Sequence, residues 1–515
     1  MTNGTSRSIE VINGKKAVRN LEHLAKAQAK LDVRVELKTP AKQVLETSAR
    51  CFLGDIERSD NEVRISGRVV TRVIYVDESD NFNSEERTDS WSERLVLKDA
   101  GSVLSLAPAA HVMETRTLDA TSPSFVETVT VVDVVLLGVT AREISYVRDL
   151  RGDVETRTET MRHATFGVGI SNTFEVEERI DLDKNCTGIL GTDVIATVRD
   201  IHVGDGKATI KGVVCANIMA VRGGDDNSLY SDNLEFDFTK TITNKAITID
   251  DVVTGAVSVT HVTIKAEADE GRPKLLVGAE LSFHGHTITH EDVEQVTDAF
   301  CFTNALNFMQ GNVESVSAQP QVNSFVEVEG NVTMPQNSPF ITKILAVGMS
   351  KINSINIVPT DGKVTVEGNL STAVTFECEE HRVHSTVISV PFSTVVKISG
   401  INVQHSIQVY ASIMAAKVKA RRGREILVDA RIALNIATSV VETQPLVIDV
   451  TVGEEIKTDD AAILIYTVGE NETLWDVAKR IACRSAEIIR QNPSLSDGVN
   501  PGDKIFIYRQ EVVGF

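Results

Sequence analysis

Three histidines come nearest to a metal-binding pattern. In the run Phe283-His284-Gly285-His286-Thr287-Ile288-Thr289-His290-Glu291, an extended strand would put His284, His286 and His290 on one face, and His-x-His suits zinc. No fourth ligand is indicated nearby, and a solvated strand face beside a loop is the simpler reading. We therefore assign no metal and keep the trio as the candidate. His290-Glu291 does not continue into a metalloprotease helix, because Glu294 stands where the second histidine is required. Gly167-Val168-Gly169-Ile170-Ser171-Asn172 opens like a dinucleotide fingerprint. It lacks the third glycine and a following helix, and reads as a linker turn. Neither a G-x-S-x-G elbow nor a Walker loop occurs. The basic run from Lys417 to Arg424 reads as a soluble hairpin turn, with an anion or partner site as the alternative. No residue set supplies a nucleophile, a base and an oxyanion donor together. The expectation is a non-enzyme without cofactors; a hydrolase would have only the histidine trio as a foothold.

Such residues must be carried by elements that the composition allows. The chain has 515 residues, 42% hydrophobic and 24% charged, which is ordinary for a globular protein and excludes wholesale disorder. Aromatics are only 5%, so the apolar mass is mostly Val, Ile, Leu and Ala. The net charge of −20 would be repelled by a phosphate backbone, which disfavours nucleic acid as a partner. Six scattered cysteines form no CxxC pair and read as reduced, packed thiols. The start Met1-Thr2-Asn3-Gly4-Thr5-Ser6-Arg7 is polar, with no secretory h-region. The densest apolar run, Val131 to Val139, is broken by Asp133 and is too short to span a bilayer. A soluble chain that stays where it is made is expected.

Alternating Val/Ile/Thr-rich segments predict antiparallel strands over most of the length. Three of them are copies: Val63-Arg64-Ile65-Ser66-Gly67-Arg68-Val69, Thr209-Ile210-Lys211-Gly212-Val213-Val214 and Val364-Thr365-Val366-Glu367-Gly368-Asn369-Leu370. Each follows a turn, Asp60-Asn61, Asp205-Gly206-Lys207 or Asp361-Gly362-Lys363, and Asp-Gly is a strong hairpin signal. Each has a central glycine, which suggests a bulge or a close backbone approach. Spacings of roughly 150 residues are too long for a solenoid repeat, so whole domains stand in tandem. A charged strand precedes each copy (Val33–Leu37, Glu178–Leu182, Val326–Val332) and a late strand follows it (Val129–Val139, Leu275–Phe283, Ile426–Ile436). The expected fold is mainly β: three tandem antiparallel β domains at 1–165, 166–312 and 313–452. Helical periodicity is scarce. It is best at Lys15–Lys30, read as an amphipathic helix for a partner whose last part aligns with a strand, and at Glu291–Gln310 and the last fifty residues.

This pattern resembles the SPOCS domain of clostridial spore-coat proteins. The third repeat matches best, through Met334-Pro335-Gln336-Asn337-Ser338-Pro339-Phe340-Ile341-Thr342-Lys343-Ile344-Leu345, the Asp361-Gly362-Lys363 turn and Val390-Pro391-Phe392-Ser393. The first repeat keeps Pro40 but lacks the Asp-Gly-Lys turn; the second lacks the proline. The resemblance implies a β-rich fold and transfers no catalytic residue.

After a polar linker at 453–462, the tail changes character. A strand, Ile463–Val468, runs into a loop. Thr473 is placed to N-cap a helix, with Asp476 completing a capping box. Leu474, Val477, Ala478 and Ile481 fall on one helical face. A second short helix, Ser485 to Gln491, stops at Asn492-Pro493. Pro501-Gly502-Asp503 turns into a last strand, Lys504–Tyr508. This βααβ order, with Tyr466-Thr467-Val468, Thr473-Leu474-Trp475-Asp476-Val477-Ala478, Asn492-Pro493 and Pro501-Gly502-Asp503-Lys504-Ile505 in register, resembles a LysM domain at 463–510. The resemblance implies binding of N-acetylglucosamine-containing glycan, above all peptidoglycan. The implied groove is Asn471, Glu472, Thr473 and Leu474 on one side and Asn492, Pro493, Ser494 and Leu495 on the other. Asn471 and Glu472 replace the usual Gly and Asp of that family; Asn tolerates the left-handed region. Trp475 is expected in the core rather than as a sugar platform.

SPOCS repeats followed by a LysM domain are similar to the clostridial spore-coat morphogenetic family. The resemblance implies a self-associating scaffold made in the mother-cell cytoplasm. It would sit at the forespore surface and spore coat and anchor to peptidoglycan or to the coat's basement-layer ATPase, partly through the LysM domain. The alternative is a peptidoglycan-binding cell-surface or filament-forming subunit.

Overall fold

The computed structural model describes residues 9–118, 122–182, 186–223, 228–269, 272–456, 462–496 and 498–508. The first unit holds β1 (Glu10–Glu36), β2 (Ala41–Ser59), β3 (Glu62–Asp77), β4 (Phe82–Val96), β5 (Val103–Thr117) and β6 (Phe125–Arg151). The second holds β7 (Val154–Asp181), β8 (Cys186–Gly204), β9 (Lys207–Arg222), β10 (Leu229–Thr243), β11 (Val252–Asp269) and β12 (Arg272–Cys301). The third holds β13 (Asn304–Thr333), β14 (Ile341–Thr360), β15 (Lys363–Cys378), β16 (Val383–Lys397), β17 (Ser406–Ala420) and β18 (Glu425–Glu455). A last module has β19 (Ile463–Thr467), α1 (Leu474–Arg480), α2 (Ser485–Gln491) and β20 (Lys504–Tyr508).

The same pairing scheme recurs three times. Each unit has a sheet made of its first, last and fifth strands, β1-β6-β5, β7-β12-β11 and β13-β18-β17, and a meander of its second to fourth strands. All pairs are antiparallel. The turns between units stand at 152–153 and 302–303, upstream of residues 165 and 312, because β7 and β13 begin before the segments whose alternation is legible. Gly453-Glu454-Glu455, expected as linker, ends β18. Residues 457–461 of that linker lie outside the described residues, as do residues 1–8 and 509–515.

Local chemistry explains the copies. The hairpins at Asp205-Gly206 and Asp361-Gly362 put Gly206 and Gly362 at φ +70 and +72, where only glycine is free of strain. In the first unit Asp60 takes φ 44 instead. Gly67, Gly212 and Gly368 lie directly opposite Trp91, Phe238 and Phe392. Each ring covers its glycine, and a Cβ there would run into that ring and a neighbouring carbonyl. The close approach expected from the sequence is thus the same in all three units.

Two regions expected to be helical are strands. Lys15–Lys30 lies in β1, and Glu291–Gln310 is divided between β12 and β13. Residue by residue, β1 pairs with β6, and this long ladder overrides helix propensity. Gly167-Val168-Gly169 is no linker turn. It lies inside β7, at a register shift opposite His286 and Ile288, and is a β-bulge.

Each unit buries its own core between its two sheets, for example Val63, Ile65 and Tyr75 against Val33, Val35 and Leu136. The three units also pack on one another. Leu45, Leu190 and Ala346, from their second strands, share one apolar cluster. Beside it Arg50 Nε meets Asp193 Oδ1 at 2.8 Å and Arg72 Nε meets Glu86 at 2.6 Å. Met349 N–H donates to Glu46 at 3.0 Å. Burial pushes the Glu46 carboxyl above its ordinary value.

Away from this junction, the paired halves of β1/β6, β7/β12 and β13/β18 form three ribbons that pack into a stem. Val147, Val296 and Val447 meet there, as do Leu150, Ala299 and Val450. Asp149, Asp298 and Asp449 each accept a hydrogen bond from the next residue's N–H, at 2.8, 2.9 and 2.9 Å.

His163 is fully buried in the stem. Burial, helped by the Lys16 ammonium, pushes its pKa down to about 4, and burial alone does the same for His286. Both are neutral when folded and titrate near 6.5 when unfolded. Their contribution is complete above about pH 6.5 and is lost as pH falls toward 4. The free energy of unfolding is expected to fall across that window by up to about 3 kcal/mol per histidine, and the denaturant midpoint with it. His163→Leu should flatten part of the drop; an unchanged pH profile in that variant contradicts the assignment.

Candidate functional site

The C-terminal module is built around two helices of 7 residues each, too short to persist alone. Val477, Ala478 and Ile488 bury against Val468, Ile505 and Ile507, and the cluster also takes Leu474 and Leu495. Leu474 and Leu495 thereby draw the two nominated loops to one core. α1 begins with the expected capping box. Asp476 N–H donates to Thr473 Oγ1 at 3.3 Å, and Thr473 N–H to Asp476 Oδ2 at 2.8 Å.

The eight nominated groove residues divide by what already occupies them. Asn471 is exposed at φ 60, the left-handed conformation its type tolerates. Pro493, Ser494 and Thr473 are exposed as well, while Leu474 is half-buried and Leu495 buried. The Glu472 carboxylate is consumed inside the loop. It accepts from Gly469 N–H at 2.7 Å and from Tyr466 Oη at 2.9 Å, and pairs with Arg480 at 2.8 Å. The Gly469 N–H and the Tyr466 hydroxyl hold its pKa below the ordinary value. The Asn492 amide is buried and saturated. It donates to the carbonyls of Ile488 and Phe506 at 2.9 and 2.8 Å and accepts from Phe506 N–H at 2.8 Å, tying α2 to β20.

Trp475 is only partly in the module's core. Its ring meets Phe300 of β12 edge-on, with centroids 5.1 Å apart at 72°. Its indole N–H donates to Asp298 Oδ2 at 2.8 Å, and Lys479 Nζ reaches Asp298 Oδ1 at 2.6 Å. Arg484 pairs with Asp153 at 3.0 Å and lies over the Phe302 ring. α2 has no side-chain cap of its own at Arg484; Glu155 of β7 accepts the Ser485 N–H at 2.9 Å and caps it from the stem. This seat, missed in the sequence, is specific to the second unit. Equivalents of Phe300 and Phe302 are Arg151 and Asp153 in the first unit and Thr451 and Gly453 in the third. The missing cap at Arg484 was the one signal for it.

The histidine trio is not assembled. His284 meets the hydroxyls of Ser171 and Ser282 at 3.3 and 2.9 Å, His286 that of Thr254 at 3.0 Å, and His290 is exposed. Among the described residues no three His, Cys, Asp or Glu side chains stand close enough to hold a metal ion. Arg424 of the basic hairpin donates to the Ser338 carbonyl at 2.6 Å and covers the Phe340 ring, a structural role. No helix among the described residues is long and apolar enough to cross a membrane.

Comparison with known families adds two matches. The family model described as SipL, SPOCS domain matches residues 341–421, the segment from β14 through β17. The LysM domain model matches residues 466–507. No match to a curated protein or to a solved structure was found. The SPOCS domain associates the chain with sporulation and the LysM domain with peptidoglycan binding, and both are non-catalytic domain families. The chain therefore carries a SPOCS domain within its third β unit, followed by a LysM domain.

Proposed function

We propose that this protein is a non-enzymatic scaffold of spore-coat assembly, made in the mother cell and held at the forespore surface by its LysM domain. The observation that carries the reading is the combination in one chain of a SPOCS unit and a LysM domain seated on the same β body. The three β units supply contacts to other coat proteins or to further copies, and the LysM domain supplies the anchor. Peptidoglycan and a coat basement-layer protein are the two anchoring partners this reading admits. For a glycan, the free groups are the Asn471 amide, the Ser494 hydroxyl and the Pro493 ring, which suit acetamido groups, hydroxyls and an apolar sugar face respectively. Glu472, Asn492 and Leu495 hold these loops in shape.

Pull-down on purified sacculi, with the full chain and with residues 463–508 removed, tests the anchor. Binding lost on truncation, and weakened about tenfold by Asn471→Ala with Ser494→Ala, supports a glycan anchor. Absence of binding directs the anchor to a protein. Light scattering tests the adhesive role: a strict monomer at high concentration, with no coat partner recovered, contradicts the scaffold.

A further inference from the structure

Four strands at sheet edges, β2 and β5 of the first unit and β8 and β11 of the second, open onto one cleft of about 670 Å³. The lining follows a pattern. β2 contributes every residue from 45 to 52, β5 contributes 110–112 and then the alternate residues Thr115 and Thr117, β8 contributes 194–196 and β11 contributes 257–259. Side chains alternate between faces along a strand, so a cavity lying over a face touches every second residue. Unbroken runs mean that the cavity meets strand edges. β14 and β15 of the third unit behave differently. They give Met349 and Lys351, then Ser371 and Ala373, alternate residues of a sheet face that floors the cleft.

Edges present unpaired N–H and C=O groups, and an added strand satisfies them. The eight-residue run on β2 spans about 25 Å. That length suits one extended segment, whose backbone can pair with an edge, whereas a helix about 10 Å across has its backbone groups already paired within itself. Its charge selects among extended chains. Arg50 is already paired with Asp193. Glu46 takes the Met349 N–H on Oε1, while its buried Oε2 has no hydrogen-bond partner and burial raises the carboxyl's pKa, which favours its neutral form. Lys351 has no ion pair among the described residues. Val387, 70% exposed, adds an apolar contact in the same cleft.

We propose that this cleft binds an extended, β-branched, acidic segment of a partner polypeptide, added along the free edge of β2 with a carboxylate on Lys351. The proposal rests on the reading of the β units as adhesive modules and is independent of the LysM domain.

The test is fluorescence anisotropy of the full chain with a labelled synthetic peptide that alternates valine and threonine around one glutamate. A second peptide carries lysine in place of the glutamate. Saturable binding is expected for the first, weaker by about tenfold for the second and for Lys351→Glu with the first. Amide exchange of residues 45–52 should slow when the first peptide is bound. No saturable binding, equal binding of both peptides, or protection only elsewhere overturns the site. The peptide swap decides the matter on the unaltered chain even if the variant misfolds. Self-association measured by light scattering in the absence of peptide reads the broader adhesive role separately, so the two can fail independently.

Discussion

Phe300→Ala is expected to release the LysM domain from the stem while leaving the three β units folded. The Phe300 ring is 5% exposed and belongs to the LysM core cluster, whereas Ala299 beside it faces the stem. The ring packs edge-on against both Trp475 and Phe302, with centroids 5.1 and 5.6 Å apart. Removing a buried phenylalanine costs about 3–5 kcal/mol, and here the loss falls on a seat between two bodies. What remains is Asp298 with its two donors, the Arg484–Asp153 pair and the Glu155 cap. These are exposed or part-buried polar contacts, each worth about 1 kcal/mol. Small-angle scattering should show a longer maximum dimension, and proteolysis between β18 and β19 should accelerate at least about tenfold. Unchanged scattering and proteolysis contradict the seat.

Asp193→Ala should destabilise the junction of the units by about 3–5 kcal/mol, because it leaves a buried cation without its partner. Arg50 from β2 and Arg72 from β3 reach Asp193 of β8 at 2.8 and 3.6 Å, with the three side chains 17, 16 and 11% exposed. Arg50 also donates to the Val194 carbonyl, and Arg72 to that of Thr192, both at 3.1 Å. The network joins the first unit to the second, so denaturant unfolding of the variant should separate into more than one transition. Asp193→Asn, which keeps an acceptor, should lose less. A loss below about 1 kcal/mol in the alanine variant would place the network at a solvated surface.

How far the sequence discloses this molecule depends on the range of each interaction. The Asp-Gly turns, the three strand glycines and the Thr473/Asp476 box are local, and the structure places each where its residue types predict. Lys15–Lys30 misleads because Ala, Leu, Lys and Glu favour a helix in isolation, whereas its partner in β6 lies more than a hundred residues away. The groove residues show the same limit. Glu472 and Asn492 look like sugar ligands by position, yet Tyr466, Arg480 and the Phe506 backbone already occupy them. Beyond the absent cap at Arg484, the LysM seat leaves no local trace, because it depends on Phe300 and Phe302 reaching the tip of a ribbon, which only the packing of three units sets.

The most direct measurement is the position of a fluorescent fusion in sporulating cells, for the full chain and for the chain lacking residues 463–508. The scaffold account predicts that the full chain encircles the forespore and that the shortened chain spreads through the mother cell. Identical distributions, or a full chain that never gathers at the forespore, would contradict it.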